Sequence, residues 1–304
     1  MASFKRLMVG LDFSAVDNTV LEYTKMISET LKPEIIYFIH SEQDLDLDEE
    51  LAEEAGINTK GPADEELAKK LEIEVAQYFE SNSKTEIVCQ IVEGSPFQEM
   101  LHWSHIKKVD LLIVGKKKLV NGKGVLPNKL ARKIDASVLF VPEGFNVKSI
   151  ENIFLPSDFS KHSKIAYNTC KESFSNTKLT CGNCFSLPLG WYKTGKTEEE
   201  FTSIMKRNAE KKFEKFKESI NDNSLECVFS IDPNNEPSVE ILEMADRINA
   251  DLIAIGARGK TDAATVILGS TTEKTLAIDV EYPLLVIKDK GENISFLQAL
   301  FNLK

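Results

Sequence analysis

The chain has 304 residues, enough for two ordinary domains with cores of their own. Its net charge of -11 argues against a general nucleic-acid or anionic-membrane binder, which needs a basic face. Five cysteines, an odd number in a chain this long, do not suggest a disulfide scaffold.

Short apolar runs alternate with amphipathic stretches throughout. In the first half, strands are predicted near 5–11, 34–39, 85–92, 110–115 and 137–141, and helices near 16–31, 64–81, 96–106 and 127–134. The acidic stretch from Glu42 to Glu54 reads as an exposed insertion after the second strand. In the second half, strands are predicted near 151–156, 178–185, 225–231, 251–256 and 283–287, and helices near 161–174, 197–219, 236–248 and 270–278. Several strands are continuous apolar runs, which implies cover on both faces. The alternation predicts an α/β fold of parallel, doubly wound, Rossmann-like sheets.

The two halves are copies. Arg6-Leu7-Met8-Val9-Gly10-Leu11-Asp12-Phe13-Ser14 returns as Asn152-Ile153-Phe154-Leu155-Pro156-Ser157-Asp158-Phe159-Ser160. Asp110-Leu111-Leu112-Ile113-Val114-Gly115 returns as Asp251-Leu252-Ile253-Ala254-Ile255-Gly256. Tandem domains are therefore expected over 1–145 and 150–290, each a five-stranded parallel sheet, followed by a docking helix in the tail 291–304.

The sharpest motif is Gly256-Ala257-Arg258-Gly259, followed nine residues later by Gly269-Ser270-Thr271-Thr272. A strand leads into the glycines and a helix starts at the hydroxyls. Glycine permits close backbone approach, and the first amides of a helix favour an anion. In sheets of this kind, ligands bind beyond the carboxyl ends of the strands, where Asp158 and Gly256 fall.

With the repeat, the strand-Asp-Phe-Ser openings and the Gly-x2-Gly-x9-Gly-Ser spacing in place, the chain resembles the universal stress protein family. The resemblance implies one intact ATP or other adenine-nucleotide site in the second domain, with magnesium as a possible companion. Pro156, Ser157 and Asp158 would meet the adenine or ribose end, and Phe185 would lie against the base. Gly256, Arg258, Gly259, Gly269, Ser270, Thr271 and Thr272 would wrap the ribose and phosphates. The family's single-domain members pair between chains, which implies a pseudo-twofold pair here through the fifth strands, with a homodimer or an unknown protein as a further partner.

The first half departs from the motif. Lys116-Lys117-Lys118 follows Gly115, Lys118 stands about where Gly259 stands, and Pro127-Asn128 replaces the glycine-serine pair. That site is expected to be degenerate, and the lysines read as a solvated basic loop. Cys181-x2-Cys184 lies in a predicted buried strand and reads as core rather than as a zinc or redox pair. No catalytic constellation stands out, so a nucleotide-dependent binder with at most slow hydrolysis is expected, against a non-nucleotide interaction module or a genuine ATPase. No run approaches the roughly 20 apolar residues of a membrane span. The start of the chain carries no apolar signal segment, so the expected compartment is the cytoplasm.

Overall fold

The computed structural model describes residues 4–42, 63–79, 84–118, 125–259, 268–278 and 281–289. The acidic insertion beyond Glu42, the loop 119–124 with Lys123 of the basic stretch, and the tail 291–304 lie outside the described residues. Backbone contacts divide the chain into two compact units, one within 3–118 and 133–148, the other chiefly within 149–304. The second unit also takes in residues 125–132.

The first unit holds five parallel strands, β1 (Arg6–Leu11), β2 (Ile35–Glu42), β3 (Glu86–Glu93), β4 (Leu111–Lys116) and β5 (Ser137–Pro142), in the order β3-β2-β1-β4-β5. Its helices are α1 (Val16–Leu31), α2 (Ala63–Ala76) and α3 (Pro96–Ile106); α4 (Val125–Lys133) falls mostly in the stretch that clusters with the second unit. Successive residues Leu7, Met8 and Val9 are all buried, as are Leu111, Leu112 and Ile113. Burial at both parities means that both sheet faces are covered, as the continuous apolar runs predict. A β-carbon on Gly10 would meet Met100 of α3, and one on Gly115 would meet Val16 of α1. Gly10 is in register with Val114, so Gly10 and Gly115 face opposite sides of the sheet and the two helices cover opposite faces.

The second unit repeats the plan. Strands β6 (Asn152–Pro156), β7 (Lys178–Phe185), β8 (Glu226–Ile231), β9 (Leu252–Gly256) and β10 (Leu284–Ile287) are parallel in the order β10-β9-β6-β7-β8. Helices α5 (Lys161–Ser173), α6 (Glu198–Ile220), α7 (Pro237–Arg247) and α8 (Ser270–Ala277) flank them. The predicted elements lie within a few residues of these bounds, except that the helix expected over 64–81 ends at Ala76. A short 3-10 turn, Trp191–Thr194, was not expected.

The likeness between the two units extends to single hydrogen bonds. Asp110, just ahead of β4, accepts from the amides of Lys5 and Arg6 at 2.7 and 2.8 Å. Its counterpart Asp251 accepts from the amides of Glu151 and Asn152, both at 2.9 Å. Each aspartate uses one carboxylate oxygen to fix where the central strand begins, satisfying amides that would otherwise be orphaned in the sheet.

Candidate nucleotide site in the second unit

The sheet order changes direction between β6 and β9, so the chain leaves these two strands on opposite sides and opens a crevice at their carboxyl ends. A cavity of about 400 Å³ lies there. It is lined by Pro156, Ser157 and Asp158 after β6, by Gly256, Arg258 and Gly259 after β9, and by Gly269, Ser270, Thr271 and Thr272 at the start of α8. Ten of the eleven residues singled out in the sequence thus converge on one cavity, and Phe185 is not among its lining. Its neighbours Asn183, Cys184 and Ser186 do line the cavity. The Phe185 carbonyl instead accepts from the Asp232 amide at 2.9 Å.

Asp158 is held in a tight local network. Its Oδ1 accepts from the Ser160 amide at 3.0 Å and from the Ser163 hydroxyl at 2.8 Å. Phe159 takes a left-handed φ of 62°, which turns the chain sharply from β6 into α5. The Ser160 side chain caps α5 by accepting from the Ser163 amide. The Asn183 side chain donates to the Ser157 carbonyl at 2.8 Å and fixes the approach to the turn. Ser163 and Asn183 carry no motif signature, and only the fold brings them to the site.

The three glycines differ in why they are glycines. A β-carbon on Gly256 would stand 3.1 Å from the backbone oxygen of His162, so α5 packs too closely for a side chain. One on Gly259 would stand 2.8 Å from Asp158 Oδ2. One on Gly269 would find nothing nearer than 3.5 Å, an ordinary contact, and the Gly269 φ of -70° suits any residue. The fold therefore explains the first two and leaves room at the third, on the cavity wall.

The amides of Ser270, Thr271 and Thr272 open α8 and have no intrahelical carbonyl to bond. With the helix dipole they make an anion cradle. The Gly269 amide donates to the Ala257 carbonyl at 2.7 Å, which closes the loop onto the end of β9. The Thr272 hydroxyl, expected to face phosphate, is engaged elsewhere: it is buried and donates to the Gly256 carbonyl at 3.1 Å. Hydroxyl contacts are left to Ser270 and Thr271.

At the equivalent place in the first unit the strand-end carboxylate has a cation of the chain's own as partner. Asp12, the counterpart of Asp158, accepts from Lys117 Nζ at 2.6 Å. Lys117 stands two residues past Gly115, as Arg258 stands two past Gly256. Partial burial pushes the Asp12 carboxyl up, but hydrogen bonds from Lys117 and Ser14 and the Lys117 charge outweigh it and leave the group below its ordinary value. His40 occupies the register position of Asn183, its Nδ1 lies 3.1 Å from the Leu11 carbonyl, and the Phe13 ring packs on it.

Burial pushes the thiols of Cys181 and Cys184 up, to about 12 and about 11, the Asp232 charge adding to the second. Raised thiols disfavour the thiolate that a redox or zinc pair needs; Cys181 is buried in β7 and Cys184 lines the cavity. Among the described residues no group of three or more His, Cys, Asp or Glu side chains assembles to hold a metal. Among them, too, no helix is long and apolar enough to cross a membrane.

A doubly wound parallel α/β unit with a crevice at its switch point places the chain in the Rossmann-like class. The family model for the universal stress protein family matches residues 188–288. A universal stress protein of Methanocaldococcus jannaschii is 29% identical over 158 residues, 46% of this chain and 96% of that one. A universal stress protein structure from Archaeoglobus fulgidus superposes with a TM-score of 0.61 at 20% identity, over 95% of this chain and 98% of that one. A functionally unknown protein from Pseudomonas aeruginosa PAO1 gives 0.65 at 14% identity, over 100% and 99%. The likeness in fold thus spans both units, and the likeness in sequence to the universal stress protein family lies in residues 188–288 and in the 158-residue match.

Proposed function

We propose that the second unit binds an adenine nucleotide, ATP foremost, and that the protein acts in the stress response as a nucleotide-dependent binder or switch. The observation that carries this reading is the convergence of Asp158, the two-glycine turn and the α8 amides on one cavity of about 400 Å³, a size suited to a nucleotide. In this reading the amides of Ser270 to Thr272 hold phosphate oxygens, with Arg258 beside them as the cation. Gly256 and Gly259 let the backbone approach the ribose, and magnesium accompanies the phosphates. The first unit, with Lys117 seated on Asp12, does not take nucleotide in the same way. The protein works in the cytoplasm, as a homodimer or with a protein partner, over domains 1–145 and 150–290.

Among the described residues around the cavity no recognisable base or water-orienting group stands against the phosphate cradle, and the reading adopted is a binder with at most slow hydrolysis. Calorimetric titration with MgATP is expected to give one site per chain, lost in Gly269→Val. Absence of binding in the wild type, or binding unchanged in that variant, overturns the reading. Multiple-turnover phosphate release well above background and abolished by Asp158→Ala would make the protein an ATPase instead.

A further inference from the structure

The cavity has a second polar end, away from the phosphate cradle. Asp232 is the first residue after β8; it lines the cavity and is only 3% exposed. Its Oδ1 accepts from the Glu236 amide at 2.8 Å and shapes the entry to α7. Its Oδ2 has one contact, Ser186 Oγ at 3.5 Å, and the same hydroxyl lies 3.4 Å from Asn235 Oδ1. A serine hydroxyl has a single proton to donate, so two acceptors share one donor at long range. This end of the cavity therefore carries a buried carboxylate oxygen held by one long hydrogen bond, and a poorly satisfied buried acceptor is costly.

The position says what kind of donor it awaits. From β9 to β8 the sheet crosses β6 and β7, three strand spacings or about 14 Å. Phosphates held at α8 leave the far end of a nucleotide, its base, over β7 and β8. An ionised carboxylate repels phosphate and suits the neutral, donor-bearing end of the ligand. The repeat supplies a control. The Gly94 amide donates to the Glu42 carbonyl just as the Asp232 amide donates to that of Phe185, so Gly94 is the counterpart of Asp232. The carboxylate is present in the unit that carries the glycine motif and absent from the one that lacks it.

We propose that Asp232 reads the base: its Oδ2 accepts a hydrogen bond from the exocyclic amine of adenine. This rests on the nucleotide reading above. The test compares ATP with purine ribonucleoside triphosphate, which lacks only that amine, by calorimetry on the full chain. The wild type is expected to prefer ATP by at least about tenfold, the worth of a hydrogen bond to a charged group. Asp232→Asn keeps an oxygen for the Glu236 amide but turns a donor toward the amine, and is expected to bring the preference close to one. Equal binding of both ligands by the wild type, or an equal loss for both in Asp232→Asn, overturns the proposal and leaves nucleotide binding standing. Binding of neither ligand overturns both readings. Should Asp232→Asn fail to fold, the wild-type comparison alone decides.

Discussion

Asp158 Oδ2 lies 2.8 Å from the point where a β-carbon on Gly259 would stand, so the strand-end carboxylate and the second motif glycine fix each other's identity. The carboxylate cannot retreat easily, because its other oxygen is bonded to Ser160 and Ser163. Gly259→Ala is therefore expected to displace Asp158 and weaken MgATP binding by at least about tenfold, a single charge-assisted hydrogen bond's worth. The melting temperature should change little, since Gly259 is a loop residue. Unchanged affinity in a titration would show that Asp158 does not touch the ligand.

Gly256 and Gly269 separate the fold from the ligand. A side chain at 256 meets the backbone of α5 at 3.1 Å, and backbone has nowhere to give. Gly256→Ala is expected to destabilise the second unit by about 1–3 kcal/mol. Gly269→Ala meets only ordinary contacts and loses at most about 1 kcal/mol, for a poorer helix N-cap. Chemical denaturation of the two variants checks the difference, and Gly269→Ala should still weaken nucleotide binding.

What the amino-acid sequence made legible follows from range. The strands are continuous apolar runs buried on both faces, a signal carried by neighbouring residues, and so their bounds were readable to within a few positions. The motif glycines and Asp158 were readable because turn and helix-start chemistry is local too. Which residues at the end of β7 reach the cavity, where Asn183, Cys184 and Ser186 stand and Phe185 does not, depends on pairing with neighbouring strands and is not carried by the local sequence. Asp232, Asn183 and Ser163 were missed for a related reason. Asp232 and Asn183 are ordinary polar residues in their own segments, brought to the site by the parallel pairing of β6, β7 and β8, while Ser163 reaches Asp158 through the turn into α5. Thr272 looked like a free hydroxyl because its acceptor, the Gly256 carbonyl, lies 16 residues back in the chain.

The cysteines offer a direct check on packing. Burial, helped by the Glu72 charge, pushes the half-buried Cys89 up to about 11, and burial with the Asp232 charge does the same for Cys184. Cys170, Cys181 and Cys227 are pushed up as well, chiefly by burial. A thiol-disulfide reagent at neutral pH is expected to label the native protein far more slowly than free cysteine, because the thiolate is the reacting form. In denaturant all five thiols should react quickly. Fast labelling of one native cysteine would show that its strand opens.

Asp17 predicts a pH dependence in the first unit. It lies buried at the start of α1, where burial first and the nearby Asp12 charge second push its carboxyl up to about 6, against hydrogen bonds from the Asp12 and Phe13 amides. The folded state then holds a proton that the unfolded chain releases at its ordinary value of 3.8. Below that value the contribution to stability is fully present, and it is lost as pH rises through about 6. Asp17→Asn mimics the protonated form and keeps an oxygen for the Asp12 amide, which bonds Asp17 Oδ2 at 3.0 Å. The variant is therefore expected to gain on the wild type between pH 4 and pH 7.5, by on the order of 1–3 kcal/mol. Urea denaturation at both pH values measures the gain, and a difference between the two proteins that does not change with pH would place the Asp17 carboxyl at its ordinary value.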